Sequence, residues 1–158
     1  MTGETAVQDK AIRVLLVDDN EDQAFIAIEA LSDDPRITVT DVNSGPACLE
    51  CLDKKTYDLV ILDYSMPQMT GMEVLRTMRS RGLDVPVIMV TGYGDERVAV
   101  DAMKLGAADY IIKSGHYHEL LPSICTSYDP AAAPPNRIGR PADSQYPIVR
   151  RPGNGCYG

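Results

Sequence analysis

Five side chains stand where they could do chemistry together. Asp18 and Asp19 follow the apolar run Ile12–Val17, Asp63 follows Leu59–Leu62, Thr91 follows Val85–Val90, and Lys113 follows Tyr110–Ile112. One acid after one apolar run means little, because Asp and Asn are ordinary helix N-caps, and Asp19 or Asn20 would cap a following helix that way. Three carboxylates, a hydroxyl and an ammonium placed alike after four runs mean more. Carboxylates held close together repel, and three of them beside one lysine leave two negative charges that call for a cation. Oxygen donors without His or Cys favour Mg²⁺, with Mn²⁺ as the alternative. A site so neutralised accepts a phosphoryl dianion. Lys113 would pair with one phosphoryl oxygen and Thr91 would donate a hydrogen bond to another. A carboxylate can also be the nucleophile and form an aspartyl phosphate. Asp63 suits that role, since it follows the central run and precedes the sharp turn Met66-Pro67-Gln68-Met69-Thr70-Gly71. The adjacent Asp18 and Asp19 are better placed to hold a metal.

These residues need elements that bring them to one edge. The apolar runs, with a further one at Ile37–Val42, are rich in Val and Ile and nearly unbroken, which suits strands of a parallel sheet buried on both faces. Amphipathic segments of helical length lie between them, at Glu21–Leu31, Pro46–Lys54, Gly71–Arg81, Asp95–Leu105 and His118–Ser127. Gly82 and Gly106 stand as stops after the third and fourth. The order is (βα)₅, and right-handed crossovers place helices on both faces of one doubly wound α/β sheet. In such a sheet ligands bind beyond the carboxyl ends of the strands, where the five side chains fall.

Composition narrows the classes. The chain has 158 residues, 44% hydrophobic and 24% charged, with net charge −8. Those values fit one folded domain and exclude a wholly disordered chain. The acidity argues against direct nucleic-acid binding through a basic face. No apolar run approaches the roughly 20 residues that span a bilayer, and the polar start, residues 1–10, has no signal-peptide core, so the expected location is the cytoplasm, away from the membrane. Cys48 and Cys51 form a CxxC, but inside a helical pattern and with no second pair, so the reading is two helical thiols rather than a zinc or redox site. Residues 129–158 differ from the rest. They hold six of the 11 prolines and four arginines against two aspartates, without strand or helix periodicity. The expected organisation is a polar extension over 1–10, a domain over 11–128, and a flexible Pro/Gly-rich tail or linker over 129–158.

Four motifs together resemble the response-regulator receiver domain of two-component signalling, over about residues 12–127. They are Val14-Leu15-Leu16-Val17-Asp18-Asp19-Asn20, Ile61-Leu62-Asp63-Tyr64-Ser65-Met66-Pro67-Gln68-Met69-Thr70-Gly71, Val90-Thr91-Gly92-Tyr93-Gly94 and Gly106-Ala107-Ala108-Asp109-Tyr110-Ile111-Ile112-Lys113. The resemblance implies a flavodoxin-like strand order 2-1-3-4-5. It implies that Asp63 is the phosphoacceptor, charged from a phosphohistidine on a histidine kinase or phosphotransfer protein. It implies that Asp19 and Asp63 bind Mg²⁺ directly, that Asp18 binds through water, and that the backbone carbonyl of Ser65 is the last protein ligand. Thr91 and Lys113 resemble the residues that hold the phosphoryl oxygens, and Tyr110 the aromatic switch that follows Thr91. On this reading the chain is a phosphorylated switch rather than an enzyme, one that assists its own phosphorylation and autodephosphorylation. Its output is binding of a partner, or self-dimerisation, through the face of the fourth helix, fifth strand and fifth helix.

The family pattern also has exceptions here. Proline usually follows the lysine, after a cis peptide; here Ser114 does, then Gly115. A cis bond before a residue other than proline costs about 3 kcal/mol, so either the turn is trans and reshaped or strain is tolerated. The histidines of Gly115-His116-Tyr117-His118-Glu119 are expected at a solvated helix start rather than at a metal. Ser65 and Tyr93 stand where phosphoryl lifetime would be tuned, with Tyr93 shielding the acyl phosphate from water. Two other readings are a receiver-like interaction module that works without phosphorylation and a haloacid-dehalogenase-type aspartyl phosphatase. The phosphatase wants a second Asp two residues after the nucleophile, where Asp63 has Ser65 and Asp18 has Asn20.

Overall fold

The computed structural model describes residues 11–92 and 96–129. Five strands, β1 (Ile12–Val17), β2 (Ile37–Val42), β3 (Leu59–Asp63), β4 (Val87–Thr91) and β5 (Asp109–Ile112), form one parallel sheet in the order β2-β1-β3-β4-β5. The helices are α1 (Glu21–Leu31), α2 (Gly45–Lys54), α3 (Gly71–Ser80), α4 (Glu96–Lys104) and α5 (Leu121–Thr126), with a 3₁₀ turn at Tyr117–Leu120 before the last. Strand alternation divides the apolar residues into two layers. Val14, Leu16, Ile61, Ile88, Val90 and Ile111 face α1 and α5, which bury Ala24, Ala27, Leu31, Leu121 and Ile124 against them. Leu15, Val17, Val60, Leu62, Met89 and Tyr110 face α2, α3 and α4, which bury Cys48, Val74, Leu75, Met78, Ala99 and Ala102.

Each boundary that matters to the site has a local cause. Asn20 caps α1 by accepting the Gln23 amide at 3.0 Å, and Glu21 and Asp22 sit favourably at the positive end of the helix. Ser44 caps α2. Thr70 and Glu73 form a reciprocal capping box on α3. Gly82 and Gly106 stop α3 and α4 with φ of +79° and +101°, a conformation costly for any residue with a Cβ.

The structure corrects several expectations. β2, an edge strand, is only partly buried: Ile37 is buried and the rest is half-buried or exposed. β4 begins at Val87, not Val85, since Pro86 offers no ladder amide. The predicted helix over His118–Ser127 is a 3₁₀ turn that buries Tyr117, followed by a shorter α-helix starting at Leu121 with Pro122 in its first turn. In α4 the buried positions are Ala99 and Ala102, with Val98 and Leu105 only half-buried. Cys48 and Cys51 do lie on α2, and both thiols are free. Burial pushes the Cys48 thiol up to about 12, so it is inert at neutral pH. The extension 1–10 and the tail beyond Asp129 lie outside the described residues.

Two features of the scaffold make predictions. Arg79 reaches from α3 and donates to the carbonyls of Leu83, Val85 and Gly106, at 2.6, 3.3 and 2.9 Å. It ties the α3–β4 and α4–β5 loops together. Arg79→Met is expected to strand these acceptors and lower stability by about 2 kcal/mol in urea melts. Gly71 opens α3 against the β3–α3 loop. A Cβ there would lie 2.6 Å from the Asp63 carbonyl oxygen and 2.9 Å from the Tyr64 Cα. Both are backbone atoms that cannot swing aside, so Gly71→Ala is expected to cost roughly 1–3 kcal/mol, read as a lower urea midpoint.

Candidate functional site

The chain leaves β1 toward β2 on one side and returns to β3 on the other. The crevice at this reversal, beyond the carboxyl ends of β1 and β3, is where a doubly wound sheet binds ligands. Val17 of β1 is level with Leu62 of β3, so Asp18 and Asp63 stand side by side there. Carboxylate oxygens of Asp18, Asp19 and Asp63 all lie within 4.8 Å of one another. Asp18 and Asp63 are buried and Asp19 is exposed, so the cluster opens to solvent on one side.

Local hydrogen bonds orient the two buried acids. Asp18 Oδ1 accepts the Asn20 amide at 2.9 Å, and Asp63 Oδ1 accepts the Ser65 amide at 3.1 Å. Lys113 continues the β5 ladder, its amide donating to the Thr91 carbonyl at 2.7 Å. Its Nζ donates to Asp63 Oδ2 at 3.2 Å and lies 3.8 Å from Asp18 Oδ2. Burial pushes the Asp63 carboxyl up to about 6, with Lys113 opposing the rise and Asp18 adding to it. A single ammonium is thus too little charge for the acids around it, and an all-oxygen donor set of this size fits a hard divalent cation.

Thr91, the last residue of β4, is buried, and its Oγ1 has no hydrogen-bond partner among the described residues. Tyr110 lies on the neighbouring strand and the same sheet face, with its ring buried. Burial raises its phenol, as does Glu96 to a lesser degree. The sequence pattern therefore brings Asp18, Asp19, Asp63, Thr91 and Lys113 to one sheet edge. Tyr93 lies outside the described residues.

A model of the response regulator receiver domain matches residues 14–124 of the chain. The chain belongs to this family. Receiver domains are signalling switches of two-component systems that interact with histidine kinases or phosphotransfer proteins and generally bind Mg²⁺ at an acidic cluster. Among curated relatives, the response regulator protein TodT of Pseudomonas putida is 31% identical over 147 residues, covering 91% of this chain and 62% of its own. The luminescence regulatory protein LuxO of Vibrio campbellii is 32% identical over 110 residues, 70% of this chain and 24% of its own. The chain thus spans between about a quarter and three fifths of these relatives' length. The solved chemotaxis response regulator CheY4 of Vibrio cholerae superposes with TM-score 0.65 at 25% identity, covering 72% of this chain and 96% of that one.

One part of this receiver's site was not legible in the sequence. Tyr117, which lies between the two histidines read as a solvated helix start, is buried, and its hydroxyl donates to Gln23 Oε1 of α1 at 3.1 Å. Asp18 and Asp63 line a small cavity with its ring. The available signal was the spacing Tyr117, Leu121, Ile124, which aligns the ring with the apolar side of the helix that follows. His116 is exposed, as expected, and pairs with Glu119 at 3.4 Å when protonated; His118 departs from that expectation, half-buried with its ring 3.9 Å from that of Tyr117.

Proposed function

We propose that Asp63 of this receiver domain accepts a phosphoryl group from a phosphohistidine of a histidine kinase or phosphotransfer protein in the cytoplasm, and that the receiver unit spans residues 11–128. The observation that carries this reading is the burial of Asp63 between a second carboxylate and the Lys113 ammonium. Asp18, Asp19, Asp63 and the Ser65 carbonyl would hold Mg²⁺. When bound, Mg²⁺ supplies the positive charge that lets a phosphoryl dianion approach the acids.

An oxygen of the Asp63 carboxylate attacks phosphorus while the P–N bond to the imidazole breaks, and the bonding pair leaves with the nitrogen. The Ser65 amide holds the other oxygen, so the nucleophile is aimed before the donor arrives. Lys113 needs little movement to exchange its bond with Asp63 for one with a phosphoryl oxygen. Thr91 Oγ1 satisfies its hydroxyl by donating to another. Tyr110, adjoining Thr91 on the same sheet face, carries that movement toward α4 and α5, whose surface with β5 then binds an output partner or a second copy. Ser65 and Tyr93 set how fast the acyl phosphate hydrolyses.

The test is incubation with a small phosphodonor and Mg²⁺, followed by intact mass and peptide mapping. One labile phosphoryl adduct is expected, on the peptide that contains Asp63, and none with chelator. Absence of an adduct with Mg²⁺ present, or a label elsewhere, would overturn the reading.

A further inference from the structure

Lys113 is followed by Ser114, and the peptide between them is trans. Ser114, Gly115 and His116 are exposed. A Gly-containing, solvated loop gives little purchase to a lysine whose ammonium must be held beside two carboxylates. Lys113 Nζ nevertheless sits 3.2 Å from Asp63; the ladder bond from its amide to the Thr91 carbonyl, at 2.7 Å, holds its base on the strand side, and something beyond the loop holds the other side.

A ring of hydrogen bonds does so. Asp18 accepts the Asn20 amide at 2.9 Å, Asn20 accepts the Gln23 amide at 3.0 Å, and Gln23 accepts the Tyr117 hydroxyl at 3.1 Å. The Tyr117 amide donates to the Ser114 carbonyl at 3.4 Å, next to Lys113. Lys113 closes the circuit on Asp63 and Asp18. The link between Gln23 and Tyr117 spans 94 residues and joins α1 to the loop after β5. It is a bond between two neutral side chains next to the acids, so it adds no charge to the site. The Tyr117 ring is 5% exposed and packs in the layer formed by Leu16, Ile61 and Val90, which anchors the loop from inside.

We infer that Tyr117, held by Gln23, is a positioning residue that sets Lys113 against Asp63 and Asp18 in a loop with no proline after the lysine. The inference rests on Asp63 being the phosphoacceptor. Loss of the Tyr117–Gln23 bond leaves the acids and the lysine chemically intact but loosens the base of the lysine.

The experiment follows the rate of labelling by a small phosphodonor with Mg²⁺ in the full chain. Wild type, Tyr117→Phe, Gln23→Leu, Lys113→Met and Tyr117→Phe/Lys113→Met are compared. Tyr117→Phe and Gln23→Leu each remove one side of the same bond, so either serves should the other fold poorly. Each is expected to slow labelling roughly fivefold, the scale of one neutral hydrogen bond. With Lys113→Met in the background, Tyr117→Phe is expected to change the rate less than twofold, because the residue it positions is gone. A merely structural role would slow both backgrounds alike. Wild-type rates in both single variants, or equal slowing in both backgrounds, would overturn the inference while the Asp63 reading stands. No labelling of wild type would overturn the two together.

Discussion

Asp63→Asn is expected to abolish phosphoryl labelling and, without Mg²⁺, to make the protein more stable. The first effect follows from removing the proposed nucleophile: an amide oxygen does not form the acyl phosphate. The second follows from linkage. The Asp63 carboxyl rises from 3.8 to about 6 in the fold, chiefly through burial and then through Asp18, with Lys113 opposing. The folded state therefore binds this proton more tightly than the unfolded chain, and stability falls as pH rises from the unfolded value toward about 6. Above that pH the charged Asp63 destabilises the metal-free fold by an amount on the order of 2 kcal/mol. Asparagine carries no such cost, though it also weakens the partner of Lys113. Thermal melts at pH 7.5 in chelator are expected to place the variant several degrees above wild type. The gap should narrow as pH is lowered from about 6 toward 4, and also when Mg²⁺ is added, since the ion stabilises wild type more than the variant. A variant that melts below wild type at every pH would show that the Lys113 pairing outweighs the burial of Asp63.

The same residues explain what could be read without coordinates. Asp18, Asp19, Asp63, Thr91 and Lys113 were legible because each follows an apolar run, and a parallel sheet brings the ends of such runs to one edge whatever the loops do. The helix start at Asn20 and the stops at Gly82 and Gly106 were legible because caps are local chemistry. Contacts set by tertiary reach were hidden. Nothing near Arg79 in the sequence names Gly106 as an acceptor, and nothing near Tyr117 names Gln23. The 3₁₀ turn over Tyr117–Leu120 was hidden for a related reason. Its residues read as helix by composition, but Pro122 has no amide for a helix running through it and suits the first turn of a new one, so the α-helix starts at Leu121 and the chain before it is a 3₁₀ turn that buries Tyr117. Gln68 was also hidden. It takes φ of +67° in the β3–α3 loop, where the Met69 amide donates back to the Pro67 carbonyl at 2.6 Å, a strained turn next to the acids.

Thr91→Val is expected to separate stability from function in the opposite sense to a core mutation. Valine has nearly the shape of threonine and suits the last position of β4. It removes a buried hydroxyl whose oxygen has no partner among the described residues. Leaving such a group unsatisfied costs about 1–3 kcal/mol, so the variant should melt at or above the wild-type temperature. A scaffold explanation of Thr91 ends there and forecasts a neutral or improved protein. If the hydroxyl instead awaits a phosphoryl oxygen, its removal takes away a donor aimed at charge that develops during transfer. Losses of roughly 10- to 100-fold in labelling rate are then expected, on the scale of a single lost oxyanion donor. Thr91→Ser keeps the donor and should recover most of the rate at some cost in packing. Rate and melting temperature measured on the three proteins decide the matter. Valine labelled as fast as wild type would leave Thr91 without a part in phosphoryl transfer. Slow labelling in a protein that melts higher would show that this fold keeps an unsatisfied group at the mouth of its sheet because the phosphoryl group satisfies it.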